Sequence, residues 1–239
     1  MGASQRPTLF RWHNMSVQQP VRIPNASRRN HDGAQSAPTE KRRGTGRTVR
    51  GRQSRQQLID AARTVFERDG FLRARIADIC DEAGMSHGSF YTYFVSKEEI
   101  FQELVDSIEF DLLRVDPIAE DAKPIDRIRS ANRHYLETYR DNAAILRVIQ
   151  QVATFDEEVR QTRIKHQDAL AHAIERRTRE YQNEGLADDQ INAWFAANAL
   201  GGMVAFVSDQ IVSRDVPVDI DFVIEQLTRL WANAIGLKY

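Results

Sequence analysis

The chain of 239 residues has a single cysteine, Cys80, and only seven prolines. One cysteine excludes an internal disulfide, and its place on an inward-facing helical stripe favours plain packing over a redox role. The sequence also lacks a glycine-rich phosphate loop, a nucleophile elbow and Cys and His residues at metal-ligand spacing, since its six histidines are scattered. We therefore expect no cofactor, no metal site and no catalytic residues, which disfavours an enzyme.

Long hydrophobic runs are scarce as well. No apolar stretch approaches the roughly 20 residues that a membrane helix needs. An apolar signal-peptide core is also missing, because Thr8, Arg11, His13 and Asn14 interrupt the N-terminal segment. With 41% hydrophobic residues the chain can still bury a sizeable core. The composition predicts a soluble, cytoplasmic protein with no membrane partner.

Acidic residues are rare at the start of the chain. Residues 1–55 hold twelve Lys and Arg but only two acids, although the net charge of the whole chain is -1. A polar, Arg-rich segment cannot offset its ordering entropy by burial, so residues 1–52 are predicted to form a disordered basic extension. Its last part, Lys41–Arg55, could lie along DNA phosphates or in a minor groove. A solvated leader without a role is the alternative, and translation could also begin at Met15.

The segment Arg75–Phe101, RIADICDEAGMSHGSFYTYFVSKEEIF, has the pattern of two short helices around a tight turn, followed by a third helix. Apolar residues of the first helix recur three and four positions apart and should face inward. Gly84 can take the left-handed conformation that ends a helix, and the Ser86 hydroxyl can cap the next one. Phe90 and Phe94, one turn apart, are predicted to be buried anchors. This pattern is typical of a helix-turn-helix DNA-binding unit.

The second helix of this unit carries residue types that suit DNA. Small residues at its start allow close approach to base edges, and the amides of a helix N-terminus favour phosphate. Tyrosine hydroxyls can bond phosphate oxygens, and threonine offers a methyl and a hydroxyl to base edges. A lysine in the first turn of the following helix opposes the helix dipole, which a phosphate partner would explain. The residues predicted to contact DNA are Arg75, Ser86, His87, Gly88, Ser89, Tyr91, Thr92, Tyr93 and Lys97.

Two stretches, ARTVFERDGF and IADICDEAGMSHGSFYTYFVSKEEIFQELV, resemble the tetracycline-repressor-like (TetR) family of bacterial transcriptional regulators. The resemblance covers about residues 56–105. It implies an all-α fold in which a three-helix DNA-binding head precedes a larger helical domain that dimerises and binds an inducer. The hydroxyl residue that often opens the second helix in this family is absent, because Ala74 and Arg75 stand there. Arg75 is expected to supply the phosphate contact instead.

Helical periodicity continues to the end of the chain, and no strand pattern competes with it. We divide the chain into the disordered basic extension 1–52, a helix-turn-helix domain 53–100 and a helical effector-binding and dimerisation domain 101–239. The predicted effector pocket is lined by Phe110, Leu113, Tyr135, Tyr139, Ile149, Phe155, Leu170 and Phe206, each of which could equally be core. Two adjacent glycines stand in the penultimate helix, and each lowers helix stability by ~1 kcal/mol relative to alanine. We therefore expect a close approach of another helix there. The predicted dimer interface, on the last two helices, comprises Trp194, Ala197, Gly201, Leu227 and Trp231.

A dimer would place two recognition helices in successive major grooves roughly 34 Å apart, so the expected partner is a palindromic operator in double-stranded DNA. A small, lipophilic effector in the helical domain would change that spacing and release the operator. These features predict a transcriptional regulator, and the resemblance favours a repressor. An architectural DNA-binding protein driven by the basic extension is the alternative, with steep salt dependence and little preference for a palindrome. A second alternative is an enzyme whose active site lies in the helical domain.

Overall fold

The computed structural model describes residues 49–114, 119, 121–213 and 218–238. Every regular element in these ranges is an α-helix, which confirms the predicted fold class. The helices are α1 (Val49–Asp69), α2 (Ile76–Glu82), α3 (His87–Tyr93), α4 (Lys97–Leu113), α5 (Pro124–Asp141), α6 (Ala143–Val152), α7 (Glu157–Asn183), α8 (Ala193–Ser213) and α9 (Ile220–Ala234).

Helix α1 begins earlier than predicted. Residues 49–52, assigned from sequence to the disordered extension, form its first turn. The segment lacks proline, and its two arginines favour helix, so the helical pattern can extend before Ser54. The rest of the predicted extension, residues 1–48, lies outside the described residues.

The first apolar core joins helices α1 to α3 to the beginning of the helical body. Phe66 of α1, Phe71 of the following loop and Phe101 of α4 pack with ring centroids 4.7 to 5.8 Å apart. Aromatic pairs in such geometries add ~0.5–1.5 kcal/mol to the gain from area burial. Residues from α6 and the start of α7 complete this core, including the fully buried Ile145 and Ile149. Helix α4 therefore belongs to the packing of both the head and the body.

The second core lies in the helical body. Helix α7 packs along α8, and α5 packs along α9. Leu227 and Trp231 of α9 are buried in this core together with Leu200 of α8. One polar pair crosses it, since the Asn132 amide donates to the Thr228 hydroxyl at 3.2 Å. Pairing these two side chains removes the cost of burying an unpartnered amide.

The end of α9 is fixed to the connection between α7 and α8. The Asp188 amide donates to the Ile235 carbonyl at 2.9 Å, and the Lys238 amide donates to the Leu186 carbonyl at 2.8 Å. Gly236 allows this close approach, because it has φ +61° and a Cβ there would lie 2.9 Å from the Asp188 Cβ. A side chain at residue 236 would force this contact apart.

Helix α8 differs from expectation in its hydrophobicity. The stretch Ala193–Val212 is long and apolar enough, by length and composition, to cross a membrane, so the prediction that no stretch reaches this length was wrong. Small residues between the large apolar ones obscured the run in the sequence. Only 28% of that stretch is buried within the chain, on the side that packs against α7 and α5. The rest of α8 is exposed or half-buried, and most of its residues are apolar.

Candidate DNA-binding and effector sites

The turn between α2 and α3 has the predicted construction. Gly84 is left-handed, with φ +62°, and the Met85 amide donates to the Cys80 carbonyl at 2.9 Å, which closes the end of α2. The Ser86 hydroxyl accepts a hydrogen bond from the Ser89 amide at 3.2 Å and caps α3. Loss of such a cap costs about 1 kcal/mol. The short turn thus fixes the angle between the two helices.

Phe90 and Phe94 anchor α3 in the head. Both are buried, and their ring centroids lie 5.8 Å apart. Their burial leaves the opposite side of α3 exposed, with His87, Gly88, Tyr91 and Thr92 on it. The Thr92 hydroxyl donates to the Gly88 carbonyl at 3.1 Å, so its methyl group and remaining lone pairs are what it can offer to a partner. This exposed surface is the candidate nucleic-acid interface.

The remaining predicted contact residues flank this surface. Tyr93 is half-buried and packs against the head core. Arg75 precedes α2, and its backbone amide donates to an Asp78 carboxylate oxygen at 3.1 Å, which is the bond that the third helical residue of a capping box accepts. The Arg75 side chain is 81% exposed, with its Nε 3.6 Å from the same carboxylate. An exposed guanidinium on this loop can still reach a phosphate.

Lys97 has a different environment from the one predicted. Its ammonium donates to the carbonyls of Phe71 and Ala74, at 2.8 and 3.0 Å, and lies 4.5 Å from the centroid of the Phe71 ring. The cation in the first turn of α4 is therefore explained by the loop before α2, whose carbonyls it binds. The helix dipole alone therefore does not require a phosphate partner, and the contact of Lys97 with DNA stays a prediction.

The contacts of Arg55 also differ from those predicted for the basic segment. Its guanidinium forms a two-point ion pair with the Glu103 carboxylate and lies 4.7 Å from the centroid of the Phe94 ring. These contacts join α1, the end of α3 and α4. The last arginine of the predicted DNA-binding arm is thus used within the head.

A cavity of about 330 Å³ lies in the helical body between α4, α5, α7, α8 and α9. Cavities of ~300–1,000 Å³ are typical of small-molecule sites. Three of the predicted lining residues, Leu113, Tyr135 and Leu170, do line it. The full lining comprises Leu112, Leu113, Arg114, Arg127, Ile128, Ala131, Asn132, Tyr135, Leu170, Ala173, Ile174, Arg176, Arg177, Tyr181, Gly201, Val204 and Trp231.

The other five predicted pocket residues lie elsewhere. Ile149 and Tyr139 are buried in the first core. Phe110, Phe155 and Phe206 are exposed, by 57% to 65% of their surface. All five sit on or next to amphipathic helices, and helical periodicity does not distinguish a residue that faces a cavity from one that faces a packed core or an interface.

Polar groups outside the cavity lining connect several helices of the body. The Tyr139 hydroxyl donates to an Asp209 carboxylate oxygen at 3.1 Å and accepts from the Gln150 amide at 3.2 Å. Burial, followed by the charge of Asp209, raises the pKa of Tyr139 to about 12. On α4, burial raises the pKa of Glu109 although the Arg163 guanidinium lies 3.4 Å from its carboxylate. Across the described ranges, no group of three or more His, Cys, Asp or Glu is placed to hold a metal ion.

The predicted dimer residues divide between the inside and the outside of the chain. Ala197, Leu227 and Trp231 are buried within the chain itself, so they have almost no surface left for a partner. Gly201 is half-buried and lines the cavity. Of the five, Trp194 alone is exposed. The apolar side chains that α8 and α9 do expose, by 54% to 67%, are Trp194, Phe195, Phe206, Phe222 and Leu230; we call them the exposed apolar face.

Contacts within the chain do not explain why α8 has two adjacent glycines. A Cβ at Gly201 would make an ordinary contact of 3.6 Å with Ile174, and a Cβ at Gly202 would meet nothing within 4 Å. Close approach of two helices within the chain therefore does not require either glycine, and the predicted close approach in a dimer stays a prediction. Gly202 is exposed on α8, between Phe195 and Phe206.

Comparison with known proteins identifies the family. Residues 58–104 match the model described as bacterial regulatory proteins, tetR family, and residues 129–219 match the tetracyclin repressor-like C-terminal domain. The chain belongs to the TetR family. Its members are helix-turn-helix transcriptional regulators, and repression with release by an effector is typical of the family.

The curated TetR relatives match over only part of this chain. The HTH-type transcriptional regulator YfiR of Bacillus subtilis is 34% identical over 95 residues, which cover 39% of this chain and 46% of YfiR. TtgR of Pseudomonas putida is 39% identical over 56 residues, covering 23% of this chain and 27% of TtgR. The matched part thus spans less than half the length of these curated relatives.

Solved structures resemble the chain over most of its length. The fatty acid degradation regulator FadR from Bacillus halodurans has a TM-score of 0.65 at 17% identity, covering 77% of this chain and 97% of FadR. Salmonella enterica GusR has a TM-score of 0.62 at 16% identity, covering 77% and 96%. At these identities the likeness shows the TetR fold alone.

Sequence reasoning missed one group of residues in the helical body of this TetR-family chain. Four arginines, Arg114, Arg127, Arg176 and Arg177, line the cavity. The available signal was that Arg176 and Arg177 follow Ala173 by three and four residues, which places them on the same side of α7 as the apolar lining. They were passed over because charged residues on a helix usually lie on its solvated side.

Proposed function

We propose that this chain is a cytoplasmic, homodimeric repressor that binds a palindromic operator through α3 and is released by a small molecule in the cavity of the helical body. The observation that carries the proposal is α4, which packs in the head core at Phe101 and lines the cavity at Leu112 and Leu113. One helix thus joins a DNA-reading surface to a ligand-sized space. Membership of the TetR family supports the same combination.

The proposed DNA contacts follow from the exposure of α3. His87, Gly88, Tyr91 and Thr92 lie on its open side, and the amides at its N-terminus favour an adjacent phosphate. Gly88 admits a close approach to a base edge, and Thr92 offers its methyl group to a thymine methyl. Tyr91, Tyr93 and the exposed Arg75 are assigned to phosphates. Lys97 is left out of this set because two of its three donors are used within the head.

The proposed dimer forms through the exposed apolar face, which shares only Trp194 with the interface residues predicted from sequence. Large apolar side chains from both α8 and α9 are exposed by more than half of their surface. A second copy of the chain would cover them by a twofold, self-complementary contact. Gly202 then has a role, since the lack of a side chain on the exposed side of α8 permits a close approach of the partner helix.

The experiment that tests the function is selection of genomic fragments by the purified full-length protein at physiological salt. We expect enrichment of a shared palindrome, and a Thr92→Glu variant should lose this enrichment because it places a negative charge on the DNA-facing side of α3. Thr154→Glu is the matched control, since Thr154 is also exposed but lies at the end of α6. Equal recovery of random and palindromic DNA would contradict the proposal and favour an architectural DNA-binding protein.

A further inference from the structure

The cavity of the helical body has a marked imbalance of charge. Four of its lining residues are arginines, and none of its described lining residues is Asp or Glu. Arg114 follows the last turn of α4, Arg127 lies on α5, and Arg176 and Arg177 lie on α7. Three separate elements therefore bring guanidinium groups to one cavity, which sets this site apart from an ordinary solvated helix face.

The two arginines of α7 keep a net positive charge at the cavity. Arg177 pairs with Glu180, with 2.6 Å between Nη1 and Oε2. Arg176 is exposed and forms no ion pair with another described residue. Of these two guanidinium groups, only that of Arg177 is paired with a described carboxylate. On the neighbouring α5, Arg127 is held in place by donating to the carbonyls of Ala119 and Ala122, at 3.1 and 3.2 Å.

The rest of the cavity wall is apolar. Its apolar lining includes three leucines, Ile128, Ile174, Val204 and Trp231. The Asn132 amide is already bonded to Thr228. Tyr135 lines the cavity as well, and its hydroxyl has no hydrogen-bond partner in the part of the chain that the structure describes. A wall of this kind accepts an apolar group, because burying such a group gains ~25 cal/mol per Å² without loss of hydrogen bonds.

We infer that the cavity binds an amphipathic anion, with an apolar tail among the aliphatic and aromatic side chains and a carboxylate or phosphate head at the arginines. Guanidinium groups bind both kinds of head through two parallel hydrogen bonds, so the two share one recognition chemistry. The inference rests on the proposed function, for which it names the chemical class of the effector. It adds an anionic head to the small, lipophilic effector expected from sequence.

The first test compares ligands that differ only in the head. Isothermal titration calorimetry of the full chain would use dodecanoate, dodecyl phosphate and dodecanol, each below its micelle concentration. We expect both anions to bind at one per chain, and dodecanol to bind at least about tenfold more weakly, since it cannot form charged hydrogen bonds. The stronger of the two anions identifies the head group. Equal affinity for dodecanol and both anions would overturn the inference.

The second test removes the proposed head-group site. The double variant Arg176→Gln, Arg177→Gln should bind the anions about tenfold more weakly and bind dodecanol as before. Arg179→Gln is the matched control, because Arg179 lies on the same helix, pairs with Glu175 and does not line the cavity. An equal loss in the control variant, or no loss in the double variant, would show that the arginines do not recognise the head.

Measuring operator binding separately distinguishes this inference from the proposed function. If the anions bind with the expected arginine dependence but leave operator affinity unchanged, the ligand class is right and the release mechanism is wrong. If the operator is bound but no fatty anion from octanoate to hexadecanoate binds, the inference about the cavity is wrong while the DNA-binding function stands.

Discussion

Replacing Lys97 with Met tests whether this lysine holds the head together or contacts DNA. Its ammonium makes hydrogen bonds of 2.8 and 3.0 Å to the carbonyls of Phe71 and Ala74 and lies over the Phe71 ring. Methionine keeps most of the length and apolar contact of the side chain but removes the charge and all three donors. The two carbonyls would then depend on solvent.

The expected loss can be worked out from these contacts. Hydrogen bonds to charged groups contribute ~1.5–3 kcal/mol each when buried, and a cation over an aromatic ring adds ~0.5–1 kcal/mol at exposed sites. Because Lys97 is half-buried, we expect about 2 kcal/mol in total, well below the sum of the buried values. For a chain of this size that corresponds to a decrease in Tm of about 4–8 °C.

The assay combines thermal unfolding without DNA and operator binding over a range of salt concentrations. Lys97→Met should lower Tm and leave the slope of log affinity against log salt unchanged. Arg75→Gln is the matched control, because Arg75 is exposed; it should keep its Tm and reduce the slope by ~0.9 for each phosphate that the variant no longer neutralises. If Lys97→Met instead keeps its Tm and reduces the salt slope, the structural role of Lys97 is refuted.

Four further outcomes are expected. Tyr91→Phe should weaken operator binding about fivefold, measured by fluorescence anisotropy, because one hydroxyl-to-phosphate bond is removed without a change of fold; unchanged affinity would remove Tyr91 from the interface. Deletion of residues 1–46 should shrink the salt slope of DNA binding if the basic segment contacts phosphates, and an identical slope would exclude that contact. Leu230→Asp should give monomers in sedimentation velocity, whereas Phe155→Asp, at an exposed aromatic far from α9, should not; a Leu230→Asp dimer would place the interface elsewhere. The folded chain holds the Tyr139 proton up to a pKa of about 12, while an unfolded tyrosine titrates near ~10, so the free energy of unfolding should fall between about pH 10 and 12. Urea unfolding should show a smaller fall for Tyr139→Phe, and an equal fall would assign the titration to other groups.

The helix-turn-helix could be predicted from sequence because its determinants are local. Gly84, Ser86 and the pair Phe90 and Phe94 act within one or two helical turns, and each has the conformation or burial that was predicted. The helices of the body could be predicted from sequence for the same reason. Local signals thus gave the fold and the exposed side of α3.

Contacts between distant parts of the chain could not be predicted. The partners of Lys97 and Arg55 lie 23 to 48 residues away, so the sequence around each residue gave no sign of them. The same applies to apolar residues of the body: Tyr135 lines the cavity, whereas Tyr139 is one turn further along α5 and buried in a core. Which side of a helix meets a cavity, a core or solvent depends on how the helices pack together.

Helix α4 also has a mechanical consequence. Its 17 residues span about 25 Å at ~1.5 Å per residue. One end is clamped to the head by Lys97 and capped by Ser96, and the other end forms part of the cavity wall through Leu112 and Leu113. Tilting a helix of this length by about 5° displaces one end relative to the other by about 2 Å. Closely packed elements transmit such shifts instead of absorbing them. The volume of a bound molecule would then set the angle at which the head meets DNA.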